Sequence, residues 1–471
     1  MRRVLLLSTL LATPALAAVE LTVDFSQTNG LIRPLHGVNM GPLCYRGMVD
    51  LSAYHRELGV PFTRLHDVVW VNAEAVDIHT IFRDFRNDPA LEESYDFRQT
   101  DDYVQSIINV GSQIVYRLGE SIEHTTHKYH VHPPRDAEKW AAICLGIISH
   151  YNEGWAGGFH HHIRYWEIWN EPDVRPAMWT GTEEEYFHLY EVTAKAIKAR
   201  FQDLKVGGPA LGHSGDFKGG IFHASAFLTN FLAHCRQTSS PLDFYSWHRY
   251  TKNPADFVRW ARGVRGVLDD AGFPHAESHL NEWNYLPNGD WGPMMKEGAG
   301  RTREKWFAEL SGPAGAGFTA WTLISLQDAP IDVANYYTGE IQGFGLFNFH
   351  GVPNKSFYAF KAFKRLLDTP IRVATGNPPA HLAVCAGINR DQSEAGLLVS
   401  NFDSGDQQLE LVIHRLPWEG DVVCTIYIVD ATRDLARVQE ITASPSDCRL
   451  ALALKAPSVC LVKLGKAPVR K

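Results

Sequence analysis

Cysteine is scarce and scattered in this chain. Its 471 residues include seven, Cys44, Cys144, Cys235, Cys385, Cys424, Cys448 and Cys460, with no Cys-x-x-Cys pair. That spacing excludes a small fold knitted by disulfides. An exported chain can pair some of them, and Cys448 or Cys460 is a conceivable partner for Cys424. The odd count leaves at least one unpaired or joined to another chain. Positive charge is not in excess either: 45 Lys and Arg stand against 53 Asp and Glu, a net charge of −8. Without a basic stripe, nucleic-acid binding is not expected. There is no repeat of solenoid period and no low-complexity segment. Gly207-Gly208-Pro209 lacks the Gly-x-x-x-x-Gly-Lys spacing of a phosphate loop. Hydrophobic residues at 45% and charged residues at 21% exclude a disordered, collagenous or coiled-coil chain.

The N-terminus is built differently from the rest. Arg2 and Arg3 precede an almost wholly apolar run from Val4 to Ala12, and Ala15-Leu16-Ala17 supplies small residues for cleavage. The pattern is that of a secretory signal peptide over residues 1–17, too short to span a bilayer, with the mature chain starting near Ala18. The paired arginines raise twin-arginine export, but the flanks favour the general route. No later stretch approaches 18 uninterrupted apolar residues, so the mature protein is expected to be soluble, free of the membrane, and secreted or periplasmic.

At about 150 residues per domain the length allows two or three units. Short apolar runs, each ending in polar or aromatic residues, alternate with helical patterns. The runs are Leu35–Asn39, Phe62–His66, Gln113–Leu118, Arg164–Trp169, Leu204–Gly208, Leu242–Trp247, His279–Trp283 and Gly317–Leu323. Eight such units in order predict an α/β fold, a (β/α)8 TIM barrel over residues 31–368. After Leu367 the pattern changes to alternating runs such as Leu409–Ile413, Val422–Ile428 and Val459–Leu464. This predicts an accessory antiparallel β-sandwich over residues 369–471, ending in a frayed basic tail from Lys466. Residues 18–30 contain the strand-like run Val19–Phe25, which is expected to join that sandwich.

Functional residues of a barrel lie at the C-terminal ends of its strands. The polar residues His36, His66, Asn170, Glu171, His248 and Glu282 all border the predicted runs. Two segments are the most informative. In Tyr165-Trp166-Glu167-Ile168-Trp169-Asn170-Glu171-Pro172 an apolar strand delivers Asn-Glu and is stopped by a proline, which lacks the N–H that pairing needs. Glu167 lies deeper in the strand and is expected to be ion-paired or hydrogen-bonded as a structural residue. In His279-Leu280-Asn281-Glu282-Trp283-Asn284 a second apolar strand ends in a carboxylate beside Asn and Trp. From strands four and seven, Glu171 and Glu282 can face one another across the barrel mouth. Hydrolysis of a glycosidic bond requires such a pair, one protonating the leaving oxygen and the other attacking the anomeric carbon or activating water. The aromatic load, 13 Trp, 17 Tyr and 24 Phe, belongs mostly in the core, and any surplus in clefts suits flat, partly apolar ligands such as sugars.

At these residues the sequence resembles glycoside hydrolase family 39, which holds β-xylosidases and α-L-iduronidases. Trp169-Asn170-Glu171-Pro172 is similar to the family's acid/base motif, and Asn281-Glu282-Trp283-Asn284 to its nucleophile motif. Arg64-Leu65-His66, His248-Arg249-Tyr250, and Gly343-Phe344-Gly345-Leu346 followed by Lys355–Phe360 add to the likeness. The resemblance implies Glu171 as general acid/base and Glu282 as nucleophile. It implies Asn170 on the sugar 2-hydroxyl, Tyr250 or His248 on Glu282 or a sugar hydroxyl, His36 and His66 lining the glycone pocket, and Trp321 as an apolar floor on strand eight. It implies an exo-acting retaining enzyme, a β-xylosidase on plant-derived oligosaccharides, that needs no metal or organic cofactor. Asn281 stands where many relatives have Thr, and Ser325–Gln342 lacks an acidic pattern that aligns, so the sugar is less determined than the reaction. The alternatives are an arabinosidase, galactosidase or iduronidase on the same scaffold, or a noncatalytic carbohydrate-binding protein. A uronic acid would need a cation such as Arg46, Arg64 or Arg249, although Arg64 is better suited to bracing the pocket.

Other histidines have plainer readings. His124, His127, His130 and His132 do not have zinc-motif spacing and are expected in a polar loop at the cleft rim. His160-His161-His162 alternate in direction on an extended chain and cannot share one metal. Trp70, Trp179, Trp283 and Trp291 follow strand ends, where core packing and sugar stacking are both open.

Overall fold

The computed structural model describes residues 18–66, 72, 74–295, 298–444 and 448–467; the expected leader and Trp70 lie outside them. Eight parallel strands close into a barrel: Gly37–Asn39, Phe62–Leu65, Gln113–Leu118, Tyr165–Ile168, Lys205–Leu211, Phe244–Thr251, Glu277–Tyr285 and Val333–Tyr336. The first six and the seventh run match the sequence reading to within a few residues. Between consecutive strands the chain returns through helices on the outside, among them Arg98–Asn109, Ala137–Glu153, Glu183–Arg200, Ala226–Thr238 and Ala255–Asp270. Their ends carry the expected signals. Thr182 caps the helix Glu183–Arg200 in a reciprocal capping box with Glu185, and three acidic residues occupy its first turn.

The eighth unit corrects the sequence reading. Gly317–Leu323 is not a strand; it lies within the helix Pro313–Ser325, and the eighth barrel strand is Val333–Tyr336. Gly315–Ala320 and Thr322–Ile324 are all buried, because this helix is packed between the barrel and the second domain. A helix covered on every side has no polar stripe, so its apolar run reads like a buried strand. Pro313 in its first turn is the local signal for a helix start.

The second domain is one nine-stranded, mostly antiparallel sheet that folds over its own apolar core. Its order is Asp434–Ala443, Val422–Val429, Ser458–Lys466, Glu394–Asn401, Leu382–Ile388, Ile371–Thr375, Val19–Leu31, Gln407–His414 and Cys448–Leu454. Val19–Leu31 lies inside it, antiparallel to Ile371–Thr375 and parallel to Gln407–His414. Cys424 and Cys448 come from opposite ends of the strand order, yet their sulfurs meet across the core at 4.0 Å. The two domains share packing: Phe402 lies edge-on to Phe318 and Trp321, and Ser400 Oγ donates to Gly317 O at 2.7 Å. Among the described residues no helix is long and apolar enough to cross a membrane.

Candidate active site

The barrel mouth is organised around Arg64, which ends strand two with no exposed surface. Its guanidinium donates to Glu167 Oε2 at 2.6 Å, Asn39 Oδ1 at 3.1 Å, Glu282 Oε1 at 2.9 Å and Asn170 Oδ1 at 2.6 Å. One buried cation thus ties four strand ends together. Burial alone would lower its pKa, but Glu167 and Glu282 hold it above the usual value. Glu167 is fully buried and also accepts from Asn281 Nδ2, so the sequence reading of it as a structural residue holds. Removing one member of such a pair leaves an uncompensated buried charge, typically a loss of about 3–5 kcal/mol.

Above this layer stand the two carboxylates. Glu282 Oε1 accepts from Arg64, and Oε2 accepts from the Tyr250 hydroxyl at 2.8 Å. Two donors on a carboxylate that is 5% exposed favour its ionised form. His66 Nε2 lies 3.8 Å from Glu282 Oε1, and burial together with Arg64, Arg117 and His248 keeps that imidazole neutral. Glu171 is more open and meets His248 Nδ1 at 2.7 Å; the same nitrogen is 3.5 Å from Glu282 Oε2. Burial pushes His248 down to about 4, so a neutral ring sits between the two acids. One oxygen of Glu171, one of Glu282 and the His248 nitrogen all lie within 4.8 Å of one another. Asn170 has its oxygen committed to Arg64, while its Nδ2 is buried and unpartnered, a donor available to a ligand.

Two expected residues are elsewhere. His36 precedes strand one and therefore lies at the N-terminal end of the barrel; its Nε2 contacts Leu58 O at 3.1 Å and its ring packs on Phe363 and Phe360. Trp321, on the helix Pro313–Ser325, packs on Phe402 and is no floor to the site. The aromatic wall beside Glu282 is formed instead by Tyr250, Tyr337, Phe344 and Trp291, with Trp291 5.0 Å from Tyr250 and 37% exposed. Trp179 and Trp283 are buried core residues.

One residue of the site and several further buried polar residues escaped the sequence reading. Asn39, at the C-terminal end of strand one, holds Arg64 and donates to Asn281 O at 2.9 Å. Glu340, fully buried four residues beyond strand eight, accepts from Gln342 Nε2 at 3.0 Å. Misplacing strand eight hid it; a strand at 333–336 would have drawn attention to the next carboxylate. Asp77, His79 and Glu120 also bring ligand-type atoms within 4.8 Å of one another after strands two and three. They satisfy each other: Asp77 accepts from Arg117 and Ser121, and His79 bridges Glu120 and Glu74. Burial alone would lower His79, but these carboxylates hold it up at about 9. His130 from the histidine-rich loop stacks on it at 3.5 Å, and His132 is held by Thr180 and Lys128.

Two carboxylates at a barrel mouth, with an imidazole that meets one and lies near the other, form an arrangement that can cleave a glycosidic bond. Comparison with known proteins narrows this. The model of Glycosyl hydrolases family 39 matches residues 30–259, a stretch that includes Glu171 and His248. A β-xylosidase from Geobacillus stearothermophilus is 27% identical over 61% of this chain and 60% of its own length, so the match leaves part of that relative uncovered. A β-xylosidase from Caldicellulosiruptor saccharolyticus is 25% identical, covering 84% of this chain and 79% of the relative. Among solved structures, a glucosidase from Croceicoccus marinus has a TM-score of 0.79 at 23% identity, covering 96% of this chain and 99% of that one. A monomeric β-xylosidase from Caulobacter crescentus has a TM-score of 0.70 at 18% identity, covering 96% and 100%. At these identities the structural likeness speaks to the fold.

Proposed function

We propose that the protein is a retaining, exo-acting β-xylosidase that works outside the cytoplasm after loss of its leader. The observation that carries the mechanism is the approach of Glu171 and Glu282, with oxygens within 4.8 Å. Retaining enzymes hold their carboxyl groups about 5–5.5 Å apart, and inverting ones about 6.5–9.5 Å to admit a water. In the proposed cycle Glu282 attacks the anomeric carbon while Glu171 gives its proton to the leaving oxygen. Water then opens the glycosyl-enzyme with Glu171 as base, restoring both groups. His248 steadies Glu171 through Nδ1, and Asn170 Nδ2 offers a donor to a sugar hydroxyl.

The sugar is argued from charge. A uronic acid asks for an uncommitted cation near the glycone. Arg64 is occupied by three partners besides Glu282, and Arg249 stacks on Trp260 at 3.8 Å beside Asp256. Arg46 is exposed on the loop after strand one. This favours a neutral sugar, and the two β-xylosidase relatives favour xylose. The test is nitrophenol release from β-xyloside, α-arabinofuranoside, β-galactoside and α-iduronide, with Glu282→Ala in parallel. The expected result is turnover of the β-xyloside, reduced by several orders of magnitude in the variant. Turnover of another glycoside alone would replace xylose. Full activity in Glu282→Ala would remove the mechanism.

A further inference from the structure

We propose that Asp173 is a positioning residue for the Glu171 carboxyl group, acting through the loop at Gly212 and His213 that follows strand five. The proposal rests on the reading of Glu171 as general acid/base.

The segment that carries Glu171 leaves strand four in an unusual path. Trp169 has φ 70° and Glu171 φ 44°, left-handed values that residues with a Cβ disfavour. Such a backbone persists only where its surroundings hold it. Here the holding groups come from strand five and the loop beyond it. Glu171 N donates to Ala210 O at 3.0 Å, which fixes the backbone. Asp173 Oδ1 accepts from Gly212 N at 3.1 Å, and Oδ2 accepts from His213 N at 2.8 Å. Both oxygens of one carboxylate therefore fasten two successive peptide groups of the neighbouring loop.

That loop is the wall against which the acid rests. A Cβ built on Gly212 would fall 2.9 Å from Glu171 Oε1 and 3.0 Å from Val174 Cγ2, so the absence of a side chain lets the backbone pack against the carboxyl group. His248 Nδ1 meets the same Oε1 from the other side. Glu171 is thus seated between an imidazole and a glycine backbone, and Asp173 keeps the glycine side in place. The site is a costly one for a carboxylate: burial first, and then the charge of Glu171, push Asp173 up to about 7. The groups facing it are Glu171, the backbone N–H groups of Gly212 and His213, and the neighbouring tyrosines Tyr186 and Tyr245. Both oxygens accept a backbone N–H, which an amide in its place could not do, so Asp173→Asn removes one of the two braces.

A displaced general acid has a kinetic signature that a loosened fold does not. Proton donation matters in proportion to the basicity of the leaving group. The experiment compares kcat/KM for dinitrophenyl and alkyl glycosides of the sugar the enzyme accepts, in Asp173→Asn, Gly212→Ala and Glu171→Ala. For Asp173→Asn we expect a fall of about tenfold or more on the alkyl glycoside and a change within about twofold on the dinitrophenyl glycoside. Gly212→Ala approaches the same carboxyl group from the loop side and should give the same split, which keeps the test open if Asp173→Asn does not fold. Equal falls on both substrates, or no fall on either, would overturn the positioning role. Glu171→Ala should show a larger split than either; if it shows none, the acid/base reading fails, which is a different outcome from failure of Asp173.

Discussion

Glu167 and Glu171 lie four positions apart, and their depth in the barrel sets what each does. Glu167 lies within strand four, fully buried, its oxygens taken by Arg64 and Asn281. Glu171 lies past the strand end, where a side chain can reach a ligand, and meets His248 at 2.7 Å. This contrast was legible because β-strand alternation and the stop at Pro172 are local properties. The family resemblance offered Tyr250 or His248 as a partner of Glu282 or of a sugar hydroxyl, and it is the Tyr250 hydroxyl that donates to Glu282. It contributes one of two donors to that carboxylate, and a hydrogen bond to a charged group is worth about 1.5–3 kcal/mol. Tyr250→Phe should therefore lower kcat about 10- to 150-fold while leaving the melting temperature nearly unchanged; an unaltered kcat would show that Arg64 alone orients Glu282. His36 misled because a polar residue bordering a run was counted without asking which end it bordered. Asn39, three residues on, occupies the end that faces the chemistry.

At the scale of elements, seven of eight barrel strands could be placed because each is an apolar run bounded by turns and followed by a helical pattern. The eighth could not. Val333–Tyr336 is four residues long and carries Asn335, whose side chain donates to Val38 O and Phe62 O within the barrel wall. The more strongly apolar segment nearby is the buried helix Pro313–Ser325, and periodicity does not separate a wholly buried helix from a buried strand. The misplacement decides what Trp321 does. On this helix it packs against Phe402 of the sandwich. Replacing a half-buried Trp with Ala should cost about 2–3 kcal/mol, less than the roughly 3–5 kcal/mol of a fully buried one. Trp321→Ala should thus lower the melting temperature and leave KM unchanged. A rise in KM without loss of stability would return Trp321 to the sugar site.

At the scale of the molecule, the sandwich and barrel are one packed body, because the helix between them belongs to both cores. The N-terminal strand Val19–Leu31 threads the sandwich before the barrel begins, so the second domain cannot be completed until the segment from Ile371 onward is made. That this strand joins the sandwich was expected from its character; its register with Ile371–Thr375 and Gln407–His414 depends on contacts hundreds of residues apart and has no local signal. The barrel in turn gathers strands two, four, six and seven so that Arg64, Glu171, His248 and Glu282 converge. That convergence places one oxygen of each acid within 4.8 Å of the other, the spacing on which the proposed covalent intermediate rests. The most direct test is the anomeric configuration of the first-formed sugar, followed by proton NMR during rapid hydrolysis of an aryl β-xyloside. The β-anomer should appear first and then mutarotate. Initial release of the α-anomer would mean inversion and would contradict the assignment of Glu282 as nucleophile.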